Sequence, residues 1–421
     1  MDVAGLSYCY LCLLLWLLLS FAQARLDSLR LVHAVWRHGD RSPASTFPTD
    51  TENGEDTWPQ GFGELSQEGM RQHYRLGQFL RQRYTGFLSH RYSKYEVYVR
   101  TTGYNRTIMS ALANLAAMYP PADEQIWNPE IPWQPIPVHN RPKDDDPMLV
   151  MNNHCPKEDE LFDMVQKSEA VQTIMEKNSE FLEFLRQKTG LNLTRLDDMW
   201  EVYDPLNAEK WHNATHKWPS WVNETVWLRV KELYDISTFY YYSTNKEIKR
   251  LRGGLLVGDI LQRLLEKQAN ETADIFKLKY YIYSAHDTTL NALLSNFGAY
   301  DGVNPPYASV ILLELHEKPA GNFFLEVYYW NDSTKDPYPV QVEGCSSFSC
   351  SLEEFAERSR PYIPDNWHEE CGLRTSARTW KIVVGCLAGL CGVLILLLLI
   401  VTWQWWSLKR DGVLYSRLSL N

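Results

Sequence analysis

Arg37-His38-Gly39-Asp40-Arg41-Ser42-Pro43 follows an apolar, strand-forming run from Leu29 to Trp36, and its reading decides the fold. Neutral imidazole is a good nucleophile toward phosphorus, and guanidinium forks match phosphoryl oxygens better than any other side chain. A histidine between two arginines therefore points to a site that forms a phosphohistidine. A strand ending in such a motif belongs in an open α/β sheet, where ligands bind at the carboxyl edge and helix N-termini favour anions.

Working outward, Gln67 to Tyr84 has helical spacing with Ser66 as its N-cap. Tyr95 to Val99 alternates like a strand and delivers Arg100, and Asn105 to Tyr119 is an Ala-rich helix. The middle changes character. Pro132, Pro135, Pro137 and Pro142 break regular structure, Asp144-Asp145-Asp146 reads as a solvated loop, and Glu160 to Lys188 as a long amphipathic helical stretch. No strand pattern is evident up to Lys249. Alternation then returns: a helix over Leu255–Glu266, a strand over Leu278–Ser284 ending at His286-Asp287, a helix over Thr288–Phe297, and strands over Val310–Leu315 and Phe323–Tyr329. This pattern predicts an α/β core at about 25–140 and 250–345 with an inserted helical cap at about 145–249. Arg37, His38, Arg41, Arg100, His286 and Asp287 all fall at strand ends, where only the fold can bring them together.

The two ends read differently. Tyr8 to Phe21 is apolar and precedes the small-x-small site Ala22-Gln23-Ala24, so residues 1–24 are expected to be a signal peptide cleaved before Arg25, although Asp2 replaces the usual basic n-region. Ile382 to Trp406 carries no charge and as a helix would reach about 37 Å, enough to cross a bilayer. Trp403, Trp405 and Trp406 crowd one edge, and Lys409-Arg410 follow. With the signal peptide setting orientation, 25–380 is expected to be lumenal, 382–406 transmembrane and 407–421 cytosolic. The Gly385–Gly389 spacing admits a helix-paired homodimer.

Of eight cysteines, Cys9 and Cys12 leave with the signal peptide and Cys386 and Cys391 fall in the span. Cys155, Cys345, Cys350 and Cys371 remain for two disulfides in any of three pairings. Asn105, Asn192, Asn213, Asn223, Asn270 and Asn331 head N-x-Ser/Thr sequons, as a glycosylated secretory ectodomain would carry. The net charge of −10 argues against a nucleic-acid partner. His212 and His216 at i, i+4 flank a sequon and read as cap surface rather than a metal pair, and His368-Glu369-Glu370-Cys371 lacks a zinc-ligand partner. No metal or cofactor is expected, since arginines supply the charge.

The chain resembles the histidine acid phosphatases, most of all the lysosomal and prostatic type. The pattern R-H-G-x-R-x-P matches Arg37 to Pro43, and the late H-D pair matches His286-Asp287. Trp58-Pro59-Gln60-Gly61-Phe62-Gly63, Leu255-Leu256 and Pro306-Tyr307-Ala308-Ser309 also look like this group. The resemblance implies a phosphoglycerate-mutase-like core. It implies His38 as nucleophile, Arg37, Arg41, Arg100 and His286 as phosphoryl-binding groups, and Asp287 as proton donor to the leaving alcohol. Thr101-Thr102-Gly103 departs from the family's usual Ser-Thr-Asp. The resemblance further implies Cys155–Cys371 and Cys345–Cys350 bridges, with a third bridge lost near Asn207 and Val310. Tyr415-Ser416-Arg417-Leu418 resembles the tyrosine-based signal read by clathrin adaptors, favouring endosomes and lysosomes over the cell surface. The expected activity is hydrolysis of phosphomonoesters. An inositol-polyphosphate phosphatase and a non-catalytic receptor or adhesion ectodomain are the other readings.

Overall fold

The computed structural model describes residues 25–418 except 213, 271, 320, 374 and 375, with side chains in the last helix described for 380–409. The expected signal peptide and the Asn213 sequon residue lie outside the described residues. The chain divides into two compact units, one ending at Asp365 and one starting at Asn366.

The first unit is built on a mixed sheet. Its strands are β1 (Leu29–Arg37), β2 (Val97–Thr101), β3 (His139–Asn140), β4 (Tyr280–Ala285), β5 (Val310–Lys318), β6 (Asn322–Trp330), β7 (Tyr338–Pro339) and β8 (Cys350–Ser351). They lie in the order β3-β2-β4-β1-β5-β6-β7, with β8 also on β6. The run from β3 to β1 is parallel, and β5 onward is antiparallel. Helices α1 (Gln67–Arg83) and α2 (Asn105–Met118) precede the insertion. α3 (Pro156–Gln166), α4 (Glu169–Lys177), α5 (Ser179–Thr189), α6 (Met199–Trp211) and α7 (Glu224–Ser243) form it. α8 (Lys246–Ala269), α9 (Ala273–Lys277), α10 (Asp287–Asn296) and α11 (Leu352–Ser359) follow.

The sequence explains the layering. β1 is buried almost throughout, as a strand covered on both faces must be. Val32, Ala34 and Trp36 join Leu76 and Leu80 of α1 and Ala111 and Leu115 of α2 in one core. The alternate residue His33 packs instead against Tyr281 and Tyr283, and Arg263 of α8 lies 3.8 Å over the Tyr281 ring. Parallel pairing sets Arg37 beside Ala285, and Thr101 beside Ser284. The carboxyl ends of β1, β2 and β4 are therefore level. Ser66 caps α1 as its sequence predicts, accepting from the Gly69 N–H. The start of α1 sits so close to the motif loop that a Cβ on Gly69 would come within 2.1 Å of the Asp40 carbonyl oxygen.

The structure adds to or departs from the sequence reading at four places. The helical stretch Glu160–Lys188 is divided among three helices, because Ser168 caps α4 by accepting from the Val171 N–H and the backbone turns again at Asn178. The proline-broken segment still pairs two residues, His139 and Asn140, with β2. Asp146 is not solvated; it is fully buried. In the second unit, α12 (Trp367–Glu370) precedes α13 (Ser376–Leu418), which runs well past Trp406 and holds Tyr415 and Leu418 in helical backbone. Within it Trp380–Lys409 is long and apolar enough to cross a membrane. Cys345 and Cys350 are bonded to each other, Cys155 and Cys371 are each disulfide-bonded, and Cys386 and Cys391 are free.

The insertion has its own core, where Leu182, Leu185, Val202, Leu206, Trp227 and Val230 pack around Phe47 from the loop after the motif. α6 is buried at every residue from Val202 to Glu209. Beside that core, fully buried Glu209 faces Asp50 and Asn53. Burial and the Asp50 carboxylate push the Glu209 carboxyl up to about 10 from 4.5. Its folded-state pKa lies above the unfolded one, so the associated stability is complete below pH 4.5 and drains away as pH climbs toward about 10. Glu209→Gln keeps the shape without needing the proton. Thermal unfolding should show this variant near neutral in effect at about pH 5 and more stable than the parent at about pH 8.

Candidate active site

The level strand ends gather the side chains that the sequence had spread along the chain. Arg37, the last residue of β1, donates through Nη1 to the Pro305 carbonyl at 2.5 Å and pairs through Nη2 with Asp287 Oδ2 at 3.0 Å. Its guanidinium lies 4.2 Å over the Tyr307 ring. His38 follows, its ring 5.5 Å from that of His286. Its Nδ1 lies 2.8 Å from the Gly39 carbonyl oxygen. A carbonyl only accepts, so the neutral ring carries its proton on Nδ1 and leaves the Nε2 lone pair free. Arg41 forms a two-point pair with Asp204, at 2.6 and 3.2 Å. Arg100 pairs with Asp146 at 2.7 Å. His286 stands 3.0 Å from Thr102 Oγ1, and Asp287 opens α10.

Electrostatics separate the two titratable partners. Burial, then the fields of Arg106, Arg37, Arg41 and His286, hold the His38 imidazole well below its ordinary value. The ring is therefore held in its neutral form below the pH at which an ordinary imidazole charges. Burial alone would raise the Asp287 carboxyl, but Arg37, Arg41, His286 and a hydrogen bond from Asn304 outweigh it and leave Asp287 below the usual carboxylate range. It is an ionised partner of Arg37, not the ready proton donor that an acidic setting alone suggests.

The loop from β1 is anchored from several sides. Gly39 N–H donates to Ser110 Oγ at 3.1 Å, and Ala308, at φ 57°, donates its N–H to the His38 carbonyl at 3.1 Å. A left-handed alanine is uncommon outside tight functional loops. A cleft of about 780 Å³ adjoins the site through Asn304 and Tyr307, with Trp211 and Lys231 of the insertion on one wall and Arg75 of α1 on another.

Several site residues were not read from the sequence. Arg106, second in α2, exerts the largest charge effect on both His38 and His286. It is paired with no carboxylate among the described contacts, and burial with the Arg41 field lowers it to about 10. A basic residue at a helix N-terminus beside a strand-end arginine is a signal that could have found it. Asp204 and Asp146 carried none. His212 and His216 are not cap surface: His212 Nε2 lies 2.6 Å from Asp40 Oδ2, and the buried His216 ring stacks on Trp58 at 3.7 Å. Asn207 lies with its Nδ2 3.4 Å from the Tyr307 hydroxyl. Of the sequons, Asn105 is exposed at the rim and bonds Glu64, while Asn192, Asn223, Asn270 and Asn331 sit away from His38 in sequence and on other elements.

The comparisons agree with this geometry. Residues 28–338 match the histidine phosphatase superfamily (branch 2). The chain belongs to that family. This histidine phosphatase is 39% identical to lysosomal acid phosphatase of Xenopus laevis over 96% of its own length and 92% of that protein. It is 44% identical to human prostatic acid phosphatase, over 82% of its own length and 88% of the other. Among solved structures, the Citrobacter braakii phytase superposes with a TM-score of 0.62 at 16% identity, covering 82% of this chain and 99% of the phytase. The Hafnia alvei phytase with tartrate gives 0.62 at 17%, over 82% and 98%. At that identity they share the fold, and no substrate follows from it.

Proposed function

We propose that this histidine phosphatase is an acid phosphatase that hydrolyses phosphomonoesters to an alcohol and inorganic phosphate through a phosphohistidine at His38. One observation carries the reading. A buried imidazole, held neutral with its Nδ1 proton given to Gly39, stands among arginines that are themselves fixed by carboxylates. The lysosomal and prostatic acid phosphatases to which the chain is similar support the substrate class.

The steps follow from the charges. The phosphoryl group docks on Arg37, Arg41, Arg106 and His286, and Arg100 supports the rim through its pair with Asp146. Nε2 of His38 forms a bond to phosphorus as the bond to the ester oxygen breaks. The guanidinium groups stabilise charge on the transferring oxygens, so no metal is required. An anionic group among the arginines screens their field at Asp287. The carboxyl then takes up a proton, gives it to the leaving oxygen, and in the second step draws one from the water that attacks the phosphohistidine.

The span at Trp380–Lys409 and the lysosomal relatives support a lysosomal, membrane-bound protein with a lumenal catalytic body. Tyr415 and Leu418 would be read by a clathrin adaptor, which requires the end of α13 to adopt extended backbone on binding. Pairing of the span through Gly385 and Gly389 would make a homodimer.

Asp287→Asn should slow alkyl phosphates at least about tenfold more than activated aryl phosphates, since only the poor leaving groups need a proton. Assay of the purified protein against such a panel in acid tests both the activity and the role; equal slowing would make Asp287 structural. We propose Cys155–Cys371 as the second bridge, which non-reducing peptide mapping reads directly; a Cys155–Cys345 link would refute it. Tyr415→Ala should raise the surface-biotinylated fraction without changing turnover per molecule, and an unchanged fraction would reject the sorting signal.

A further inference from the structure

α6 reaches the nucleophile motif and the loop beside it at successive points. Asp204 holds Arg41, Asn207 reaches Tyr307, and His212, the residue closing the helix, reaches Asp40. The last of these contacts leads back to His38. The Asp40 side chain is buried, and its Oδ2 accepts from Ser66 Oγ at 2.5 Å and from His212 Nε2 at 2.6 Å, while Oδ1 has no partner. A carboxylate only accepts, so His212 carries its proton on Nε2.

Asp40 also shares a peptide unit with Gly39. One end of that unit is the Asp40 N–H, which donates to Gln72 Oε1 at 2.8 Å. The other end is the Gly39 carbonyl, which accepts from His38 Nδ1 at 2.8 Å. The orientation of a single peptide plane therefore fixes the nucleophile's tautomer. The core holds the plane through Gln72 and holds Asp40 through Ser66, whose N–H also donates to the Asp40 carbonyl at 3.0 Å. From the insertion the holding group is His212, itself set by the edge of Trp58 at 5.1 Å, with His216 at 6.3 Å as the nearest other imidazole.

We propose that His212 is a positioning residue for the nucleophile. By satisfying the buried Asp40 carboxylate from the inserted helices, it holds the Gly39–Asp40 peptide in the orientation that keeps the Nε2 lone pair of His38 available. Without it, Asp40 keeps only the Ser66 hydroxyl as a side-chain donor, and a buried carboxylate short of donors pulls its own backbone toward new ones. This rests on the reading of His38 as nucleophile. Bare docking of the inserted helices would need His212 for stability and not for the chemical step.

The test uses the full-length protein in detergent with p-nitrophenyl phosphate, measuring kcat, KM, the rate of phosphoenzyme formation and the unfolding midpoint. His212→Ala should lower kcat and phosphoenzyme formation about tenfold, equivalent to about 1.4 kcal/mol in the barrier, with KM within about twofold of the parent. Asp40→Asn combined with His212→Ala should be no slower than the worse single variant, because both break the same link. His212→Gln offers an N–H donor at a similar reach and should recover most of the lost rate, which keeps the test decisive should the alanine variant fold poorly. Unchanged kcat in His212→Ala, additive losses in the double variant, or a glutamine variant that regains stability but not rate would each overturn the proposal. His38→Ala is the separate control: phosphoenzyme formed without that imidazole would bring down the nucleophile assignment itself.

Discussion

The structure depends on crowded positive charge. Arg37, Arg41, Arg100 and Arg106 are all buried or nearly so, and all but Arg100 act on the same two histidines. Two unit charges about 4 Å apart at an effective dielectric near 20 repel by about 4 kcal/mol, so a cluster of this kind cannot stand uncompensated in a fold of ordinary stability. Each of the first three guanidinium groups accordingly has its own carboxylate: Asp287, Asp204 and Asp146. Those acids come from the sheet edge, the inserted helices and the loop leading to them. The insertion is thus part of the charge balance of the site and not only a cover over it.

The same crowding sorts the protonation states. Burial first, and then the arginine field, hold His38 neutral where an ordinary imidazole would be charged, while the arginines hold Asp287 below the usual carboxylate range. Glu209 runs the other way, its carboxyl pushed up by burial and by the Asp50 carboxylate. One chain therefore keeps a neutral base, an ionised acid and a protonated carboxyl in the same acidic range, each for a nameable reason.

Much of this was legible in the sequence. The strand that ends in Arg37-His38 and the strand that ends in Ala285 are apolar runs of the right length, and α1, α2 and α10 begin within a residue of where capping and periodicity place them. Parallel pairing then makes the convergence of Arg37, His38 and His286 almost unavoidable. What was not legible came from contacts with no period behind them. Asp146 looks like one of three solvated aspartates, and only the fold reveals that the last turns inward to Arg100. Asp204 sits in a stretch of helix buried without a break from Val202 to Glu209, where no apolar stripe marks the face that meets Arg41. His212 was weighed as a metal ligand because i, i+4 spacing is the visible signal, whereas its partner lies 172 residues away in sequence. The Glu160–Lys188 stretch kept its amphipathic pattern across two breaks, since Ser168 and Asn178 interrupt the backbone without interrupting the periodicity.

The central claim is that phosphorus becomes bonded to His38. Rapid acid-free quenching of the purified protein with a radiolabelled aryl phosphate, followed by peptide mapping, tests it most directly. The account predicts a label that is stable to base and lost in acid, carried by the peptide containing Arg37-His38-Gly39, and absent from His38→Ala protein. A label on any other residue, or full turnover by the His38→Ala protein, would contradict it.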